Sequence, residues 1–163
     1  MDKTNIISIL EGNPHAVAEL TGNINYPELC ATVEFFQTNM GVLVSVYASG
    51  LPKPNDVCKM PIFAIHIHSG ISCTGNETDY FKDAMTHYNP DNCPHPFHAG
   101  DMPPLFGTNG AAFSVFLTDR FSVNEIIGKT VIIHSDPDDF TTQPSGNSGE
   151  KIACGIITRK ITI

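Results

Sequence analysis

The chain has 163 residues, of which 41% are hydrophobic, and its formal net charge at pH 7 is −8. This length suits a single domain, residues 1–163, that can bury its own hydrophobic core. The acidic balance argues against nucleic acid or an anionic membrane as a partner, because either would favour a basic surface. No apolar stretch approaches the roughly 20 residues that span a bilayer, so we expect no membrane segment.

The chain begins with MDKTNIISIL, which has a short apolar run and no small-residue cleavage site. These features are not those of a secretory signal. We therefore expect a cytoplasmic protein, or an extracellular or cell-envelope protein if a leader has been removed. Within this stretch, residues 5–10 are predicted to form the first strand.

Short segments rich in β-branched and aromatic residues continue along the chain, separated by clusters of Gly, Pro, Asn and Asp. The further predicted strands are residues 30–36, 41–50, 61–70, 111–119, 130–134 and 152–157, with 15–20 as an additional candidate. Residues 77–85 and 122–128 suggest only a helical turn or two. The pattern predicts an all-β fold, an antiparallel sandwich or barrel of seven to eight strands.

Two long irregular stretches interrupt the predicted strands, at about residues 69–110 and 135–151. Loops of this length inside a compact domain are usually functional or disordered. The first holds three of the seven histidines, and the second begins directly after a histidine. We therefore expect the functional residues to lie on these two loops and on the strands beside them.

Three histidines fall on the predicted strands that flank the two long loops. The strand period of two places apolar side chains on one face of 61–70 and puts His66 and His68 on the other, projecting outward. Taken alone, these are most simply two exposed histidines on a strand. His134, however, ends the strand at 130–134, and imidazole is a ligand suited to copper, zinc, iron or nickel. The three together indicate a candidate metal group.

A second candidate group lies in the first long loop. His87, His95, His98 and Asp101 offer three nitrogens and one carboxylate, the set that satisfies tetrahedral zinc. Spacings of eight, three and three residues let a loop wrap around a small ion. The simpler interpretation is a polar loop rich in histidine, and Cys93 within it is a rival ligand.

Five motifs occur together and in order: AIHIHSG, HYNPDNCPH, HAGD, VIIHSDPDD and GNSGEKIACGII. In this combination, residues 41–157 resemble the copper–zinc superoxide dismutase family, in a bacterial-like form. The resemblance implies a Greek-key antiparallel β-sandwich with two long functional loops. It also implies an oxidoreductase that disproportionates superoxide to dioxygen and hydrogen peroxide by redox cycling of copper.

The resemblance implies a bimetallic centre of copper and zinc. The ring of His87 would bridge both metals as an imidazolate and would carry a proton during catalysis. The ligands of copper would be His66, His68, His87 and His134, and those of zinc would be His87, His95, His98 and Asp101.

Other residues receive supporting roles from the same resemblance. Asp138 would accept hydrogen bonds from one copper-ligating and one zinc-ligating histidine, which fixes both rings. Cys73 and Cys154 would form a disulfide between the first long loop and the last strand. The remaining cysteines, at positions 30, 58 and 93, have no assigned partner.

Lys151 stands where the family has an arginine, three residues before the last cysteine. A local positive charge would guide superoxide into an otherwise acidic protein, and the resemblance makes Lys151 catalytic together with His87. Lysine lacks the planar fork that holds an anion at two points. We therefore expect activity at a lower rate or with weaker anion selectivity, which the variant Lys151→Arg would reveal.

Two other functions remain open from the sequence. One is a non-catalytic copper- and zinc-binding or copper-delivering relative with the same fold, which missing copper ligands would favour. The other is a zinc-only hydrolase, which needs an open coordination position on zinc. The sequence also leaves open whether the chain is a monomer or a homodimer.

Overall fold

Nine β-strands and two short helices make up the fold in a computed structural model, which describes residues 3–56 and 58–160. The helices are α1 (Lys3–Leu10) and α2 (Val123–Ile126), and residues 82–84 form a single 3-10 turn. The strands are β1 (Ala16–Gly22), β2 (Cys30–Thr38), β3 (Gly41–Ser49), β4 (Ile62–Phe63), β5 (Ile65–His68), β6 (Leu105–Phe106), β7 (Ala111–Thr118), β8 (Thr130–His134) and β9 (Lys151–Arg159).

Seven of these strands form one curled antiparallel sheet in the order β5-β8-β9-β1-β2-β3-β7, and β4 pairs with β6 in a small second sheet. β1, β2 and β3 follow one another as a meander. The neighbours β3–β7, β9–β1 and β5–β8 are instead joined by long connections, the hallmark of Greek-key topology. The pairing of β5 with β8 is the one that matters for function, because the strand-borne histidines lie on these two strands.

The concave side of the sheet holds the main hydrophobic core. Val33, Phe35, Val44 and Val46 from the meander are completely buried there, as is Ile65 of β5. Apolar residues alternate with more exposed ones along β2, as expected for a strand with one buried face. Burying each large apolar side chain contributes about 1.5–3 kcal/mol, so this core supports the strands that carry the site.

The all-β prediction is confirmed, and the candidate strand at 15–20 is present as β1. The prediction of a strand at 5–10 is wrong, because these residues belong to helix α1. Ile6, Ile9 and Leu10 are its half-buried residues, and their spacing is that of one helical face. An apolar run of this length is compatible with either structure, and here the helical period decides.

The predicted strand at 61–70 divides at Ala64 into β4 and β5, which belong to different sheets. The backbone N–H of Ala64 donates to Asp136 and its carbonyl accepts from His134, so the chain changes partners at this residue. Two loops flank the resulting site: the first loop (residues 69–104) and the second loop (residues 135–150). No helix within the described part of the chain is long and apolar enough to cross a membrane.

Candidate metal centre

Two groups of metal-binding side chains lie close together at one end of the sheet, and they share one residue. The strand group consists of His66, His68, His87 and His134, and the loop group consists of His87, His95, His98 and Asp101. Within each group, one potential ligand atom from every residue lies within 4.8 Å of the others. The structure thus brings together the histidines and the aspartate that the sequence analysis named as candidate metal ligands, but not Cys93.

Backbone pairing brings the first loop to the strand group. Isolated antiparallel bridges pair His68 with His87 and His66 with Asp101, so this loop runs back along β5. β8 lies on the other edge of β5 and ends at His134. Residues from three separate parts of the chain therefore meet around the ring of His87.

The simpler interpretation of His66 and His68, two exposed histidines on a strand, is wrong. Their exposed fractions are 0% and 2%. The period of two does put them on the face opposite the apolar residues of β5, but the two loops cover that face. The His66 ring contacts Asp138 of the second loop, and the His68 ring contacts the backbone of Met85 in the first.

Asp138 lies between the two groups and accepts a hydrogen bond from each. His66 Nε2 is 2.8 Å from Oδ2, and His95 Nε2 is 2.9 Å from Oδ1. Burial opposes ionisation of this carboxyl, but hydrogen bonds from His66, the Phe140 N–H and His95 outweigh it. The pKa of Asp138 is therefore held far below its usual range, and its carboxylate acts as an acceptor.

These hydrogen bonds determine which ring nitrogens carry a proton. Since Asp138 accepts from Nε2 of both His66 and His95, the Nδ1 atom of each neutral ring keeps a free lone pair. Both Nδ1 atoms are buried, and neither has a hydrogen-bond partner among the described residues. An unpaired buried polar atom costs about 1–3 kcal/mol, which a bound cation would offset.

On the other side of the strand group, a hydrogen bond also determines the tautomer of His68. His68 donates from Nδ1 to the carbonyl of Met85 at 2.9 Å, so its Nε2 lone pair is free. That lone pair faces Nε2 of His134 at 3.3 Å. The His68 ring thus presents a bare nitrogen toward the interior of the strand group, as a ligand of a metal ion does.

The loop group has the spacing of a tetrahedral site. Donors about 2.0 Å from a tetrahedral zinc ion lie about 3.3 Å apart. Asp101 Oδ2 is 3.1 Å from His95 Nδ1 and 3.3 Å from His98 Nδ1, and His98 Nδ1 is 3.4 Å from His87 Nδ1. The free lone pair of His95 faces a carboxylate oxygen, which is repulsive unless a cation lies between them.

Burial also favours the ligand forms of these side chains. Desolvation, followed by the charge of His87 and other neighbours, places the pKa of His68 well below its usual value, and desolvation with the neighbouring imidazoles does the same for His134. For Asp101, burial alone would raise the pKa, but the hydrogen bond from His87 and the nearby imidazoles lower it. Neutral imidazole and ionised carboxylate are the forms that bind metals.

His87 occupies the position between the two groups. Its Nδ1 lies 2.7 Å from Asp101 Oδ1 and belongs to the loop group. Nε2 is then the nitrogen left for the strand group, toward which the ring is packed, with its centroid 4.0 Å from that of His66. One ring can therefore serve both groups, as the resemblance implies.

A cavity of about 720 Å³ reaches the strand group from the surface. His68, His87 and His134 line its inner end, and Lys151 lines its wall. Lys151 was expected to present a free positive charge here, but its Nζ lies 2.7 Å from Asp79 Oδ2. The ammonium is thus near the site and is already paired with a carboxylate.

The cysteines form the one disulfide that the resemblance implies, and the other three have no disulfide partner. Cys73 and Cys154 form a disulfide that joins the first loop to β9. Cys30, Cys58 and Cys93 are free. Cys93, the rival zinc ligand, lies outside both groups, and its backbone is held by the side chain of Asn89.

Sequence reasoning missed several residues that hold the first loop in place. Arg120 donates from Nη1 to the carbonyls of Pro96, His98 and Asp101, at 3.0, 3.3 and 3.3 Å. The Gln143 side chain bonds both the N–H and the carbonyl of His95. No local pattern indicates these contacts, because 19 to 48 residues separate the partners.

Gly146 is required for close packing against the central carboxylate. Its φ is +68°, a conformation that favours glycine. A Cβ at this position would lie 2.0 Å from Asp138 Oδ1 and 2.7 Å from His95 Nε2. The motif GNSG had a recognised place in the family resemblance, but this packing role is apparent only from the structure.

Comparisons with known proteins agree with this geometry. Residues 30–157 match the family model for copper/zinc superoxide dismutase. The chain is 33% identical over 145 residues to superoxide dismutase [Cu-Zn] 2 of Aquifex aeolicus, covering 80% of each protein. It is 32% identical over 139 residues to superoxide dismutase [Cu-Zn] of Legionella pneumophila, covering 80% of this chain and 79% of the relative.

A solved structure supports the fold. The Cu/Zn superoxide dismutase from Brucella abortus aligns with a TM-score of 0.69 at 19% sequence identity, covering 86% of this chain and 98% of that one. The residues that the family model matches run from the start of β2 to the third-last residue of β9, and they include both loops and both ligand groups. Fold, donor set and sequence similarity together lead to one conclusion: the chain belongs to the copper/zinc superoxide dismutase family.

Proposed function

We propose that this protein is a superoxide dismutase that converts superoxide to dioxygen and hydrogen peroxide at a copper–zinc centre. The observation that carries the proposal is the position of His87, which belongs to both ligand groups. A cavity ends at the strand group and gives a small anion access to it. The family relatives carry the name superoxide dismutase, which is an oxidoreductase.

The strand group is assigned to copper and the loop group to zinc. Three imidazoles and a carboxylate at tetrahedral spacing suit zinc. Four imidazoles around a centre that the cavity reaches suit copper, which supplies one-electron oxidation and reduction that zinc lacks. The ligands of copper would be His66, His68, His87 and His134, and those of zinc would be His87, His95, His98 and Asp101.

The protein's own residues orient the ligands and move the proton. Asp138 holds the rings of His66 and His95 through one carboxylate, so the relative position of the two ligand groups is fixed. His87 would retain its Nδ1 contact with the loop group while Nε2 takes up a proton and then donates it to the departing product. The second proton of hydrogen peroxide would come from water in the cavity.

A zinc-only hydrolase is disfavoured by the same geometry. Such an enzyme needs an open position on zinc for water. The loop group offers four protein ligands at tetrahedral spacing, which fills the coordination sphere. A non-catalytic copper carrier is disfavoured because each of the expected copper ligands is present and buried.

The test is to load the protein with copper and zinc and to measure superoxide consumption together with the visible spectrum of copper. We expect dismutation with a copper spectrum typical of nitrogen ligands, and loss of both in His87→Ala. His15→Ala is the matched control, since His15 lies outside both ligand groups. Normal copper coordination without superoxide consumption would contradict the enzyme and favour the copper-carrying alternative.

The other partner predictions stay predictions. A homodimer remains a hypothesis for this chain, as does the absence of nucleic acid and membrane among its partners. Sedimentation at several protein concentrations would measure the oligomeric state. The net charge of −8 supports the prediction that polyanions do not bind.

A further inference from the structure

The charged lining of the active-site cavity is dominated by acids. Among the described residues that line it, Lys151 is the one lysine or arginine. Three carboxylates accompany it, so the formal balance of these side chains is negative: Glu77, Asp79 and Glu150. A cavity that admits an anion is expected to have the opposite balance, because focused positive potential raises the rate of anion entry.

Asp79 contacts the lysine directly and is itself held in place. Lys151 Nζ donates to Asp79 Oδ2 at 2.7 Å and to the carbonyl of Phe81 at 3.2 Å. The other carboxylate oxygen of Asp79 accepts from the Phe81 N–H at 3.1 Å, and the Asp79 N–H donates to Asn76 Oδ1 at 3.0 Å. The carboxylate therefore faces the ammonium by virtue of the local loop structure.

This pairing limits what Lys151 can offer to a substrate. An ammonium group has three N–H donors, and two of them already have protein acceptors. The Lys151 side chain is only 15% exposed, which restricts the freedom of Nζ to turn toward the cavity. An entering anion must compete with Asp79 for the lysine and also approach Glu77 and Glu150.

We propose that Asp79 is a specificity-determining residue that lowers the affinity of the copper site for small anions by neutralising Lys151. The inference rests on the proposed function, because it concerns entry of superoxide into that site. It differs from the expectation from sequence, in which Lys151 acts as a free guiding charge. The rate then depends on a carboxylate that lies 72 residues away in sequence from the lysine.

Azide is a suitable probe, because it is a small anion whose binding to copper changes the visible spectrum without turnover. In copper- and zinc-loaded protein at low ionic strength, we expect Asp79→Asn to bind azide about 3–10-fold more tightly than the wild type, as for removal of one nearby charge. Asn is isosteric with Asp and keeps an acceptor for the Phe81 N–H. The gain should shrink at high salt, which screens partly exposed charges.

Two further variants separate local pairing from net charge. Asp119→Asn changes the net charge equally at an exposed position outside the cavity lining, and we expect wild-type azide affinity. The double variant Asp79→Asn with Lys151→Met removes the pair together and should bind azide within about twofold of the wild type. Equal azide affinity in Asp79→Asn and the wild type, with normal copper spectra, would overturn the inference while leaving the proposed function intact.

Ionic strength provides a second test. Between about 10 and 200 mM, the rate of superoxide consumption should fall less steeply in the wild type than in Asp79→Asn, because the metal charges act equally in both proteins and only the variant has an uncompensated lysine. An equally steep fall in both proteins would show that Asp79 does not neutralise Lys151 and would overturn the inference. Failure of the wild type to bind copper would instead contradict the proposed function itself.

Discussion

The two ligand groups use similar side chains but are held by different kinds of structure. His66, His68 and His134 lie on β5 and β8, whose backbones are paired residue by residue. His95 and His98 lie on the first loop, whose backbone is held by side chains of Gln143, Arg120 and Asp101. The sheet thus fixes its ligands through the backbone, whereas the loop needs separate side-chain contacts.

The difference predicts unequal stability of the two groups without metal. Buried strands usually open only on global unfolding, whereas loops open locally at lower free energy. The strand-borne ligands His66, His68 and His134 should therefore keep their positions in the metal-free protein, and the ligands on the first loop should depend more on bound metal.

Removal of both metals by chelation is expected to have the largest effect. A site whose metal is present at 1,000 times its dissociation constant contributes about 4 kcal/mol to stability, and two such sites are lost here. Hydrogen exchange should increase strongly at residues 87–101 and little in β5 and β8. Equal loss of protection in the strands and in this segment would contradict the claim that the strands hold their ligands more stably than the loop does.

Loss of the disulfide should come next. The bond closes a separation of 81 residues, for which the chain-entropy model gives about 4.5 kcal/mol of stabilisation. Cys73→Ser is expected to lower the free energy of unfolding by about this amount. The first loop should loosen more than β9 does. Cys58→Ser is the control, because that thiol is exposed and unpaired. Denaturant unfolding of the two variants measures the difference.

Asp138→Asn should weaken both groups, and to a similar degree. Outer partners of metal-bound histidines typically change metal affinity by 10–100-fold. The Asn side chain has one acceptor oxygen where Asp has two. Its NH₂ group would therefore face the Nε2–H of either His66 or His95, and that hydrogen bond would be lost. Competition with chelators should show losses for both copper and zinc, whereas Asp139→Asn should leave both unchanged. A loss confined to one metal would show that Asp138 does not couple the groups.

Arg120→Met should have the smallest effect and should act on one group alone. The guanidinium caps three loop carbonyls beside His98 and Asp101, so we expect zinc affinity to fall by up to about tenfold and copper affinity to stay near wild type. Arg159→Met is the matched control, since Arg159 contacts Asn124 at the exposed end of β9. An equal fall in the affinities for zinc and copper would show that Arg120 does not act on the loop group alone.

Much of the fold and the donor set could be predicted from local pattern. Alternation in β2 and the turn residues between strands indicate an antiparallel β protein. The local period failed at residues 5–10, where a short apolar run suits both strand and helix. It also failed to predict the burial of His66 and His68, because a strand pattern identifies a face but not what covers that face.

The sequence by itself determined which metal-binding side chains exist, their spacing, and through the family resemblance the groups to which they belong. Only the tertiary structure decided their tautomers, the capping of the first loop by Arg120, and the pairing of Lys151 with Asp79. Donor chemistry and strand period are local properties of the chain. The charge of a site instead depends on neighbours that folding brings from distant positions. For this reason the sequence predicts a free cation at Lys151, whereas in the folded protein its ammonium group is paired with the Asp79 carboxylate.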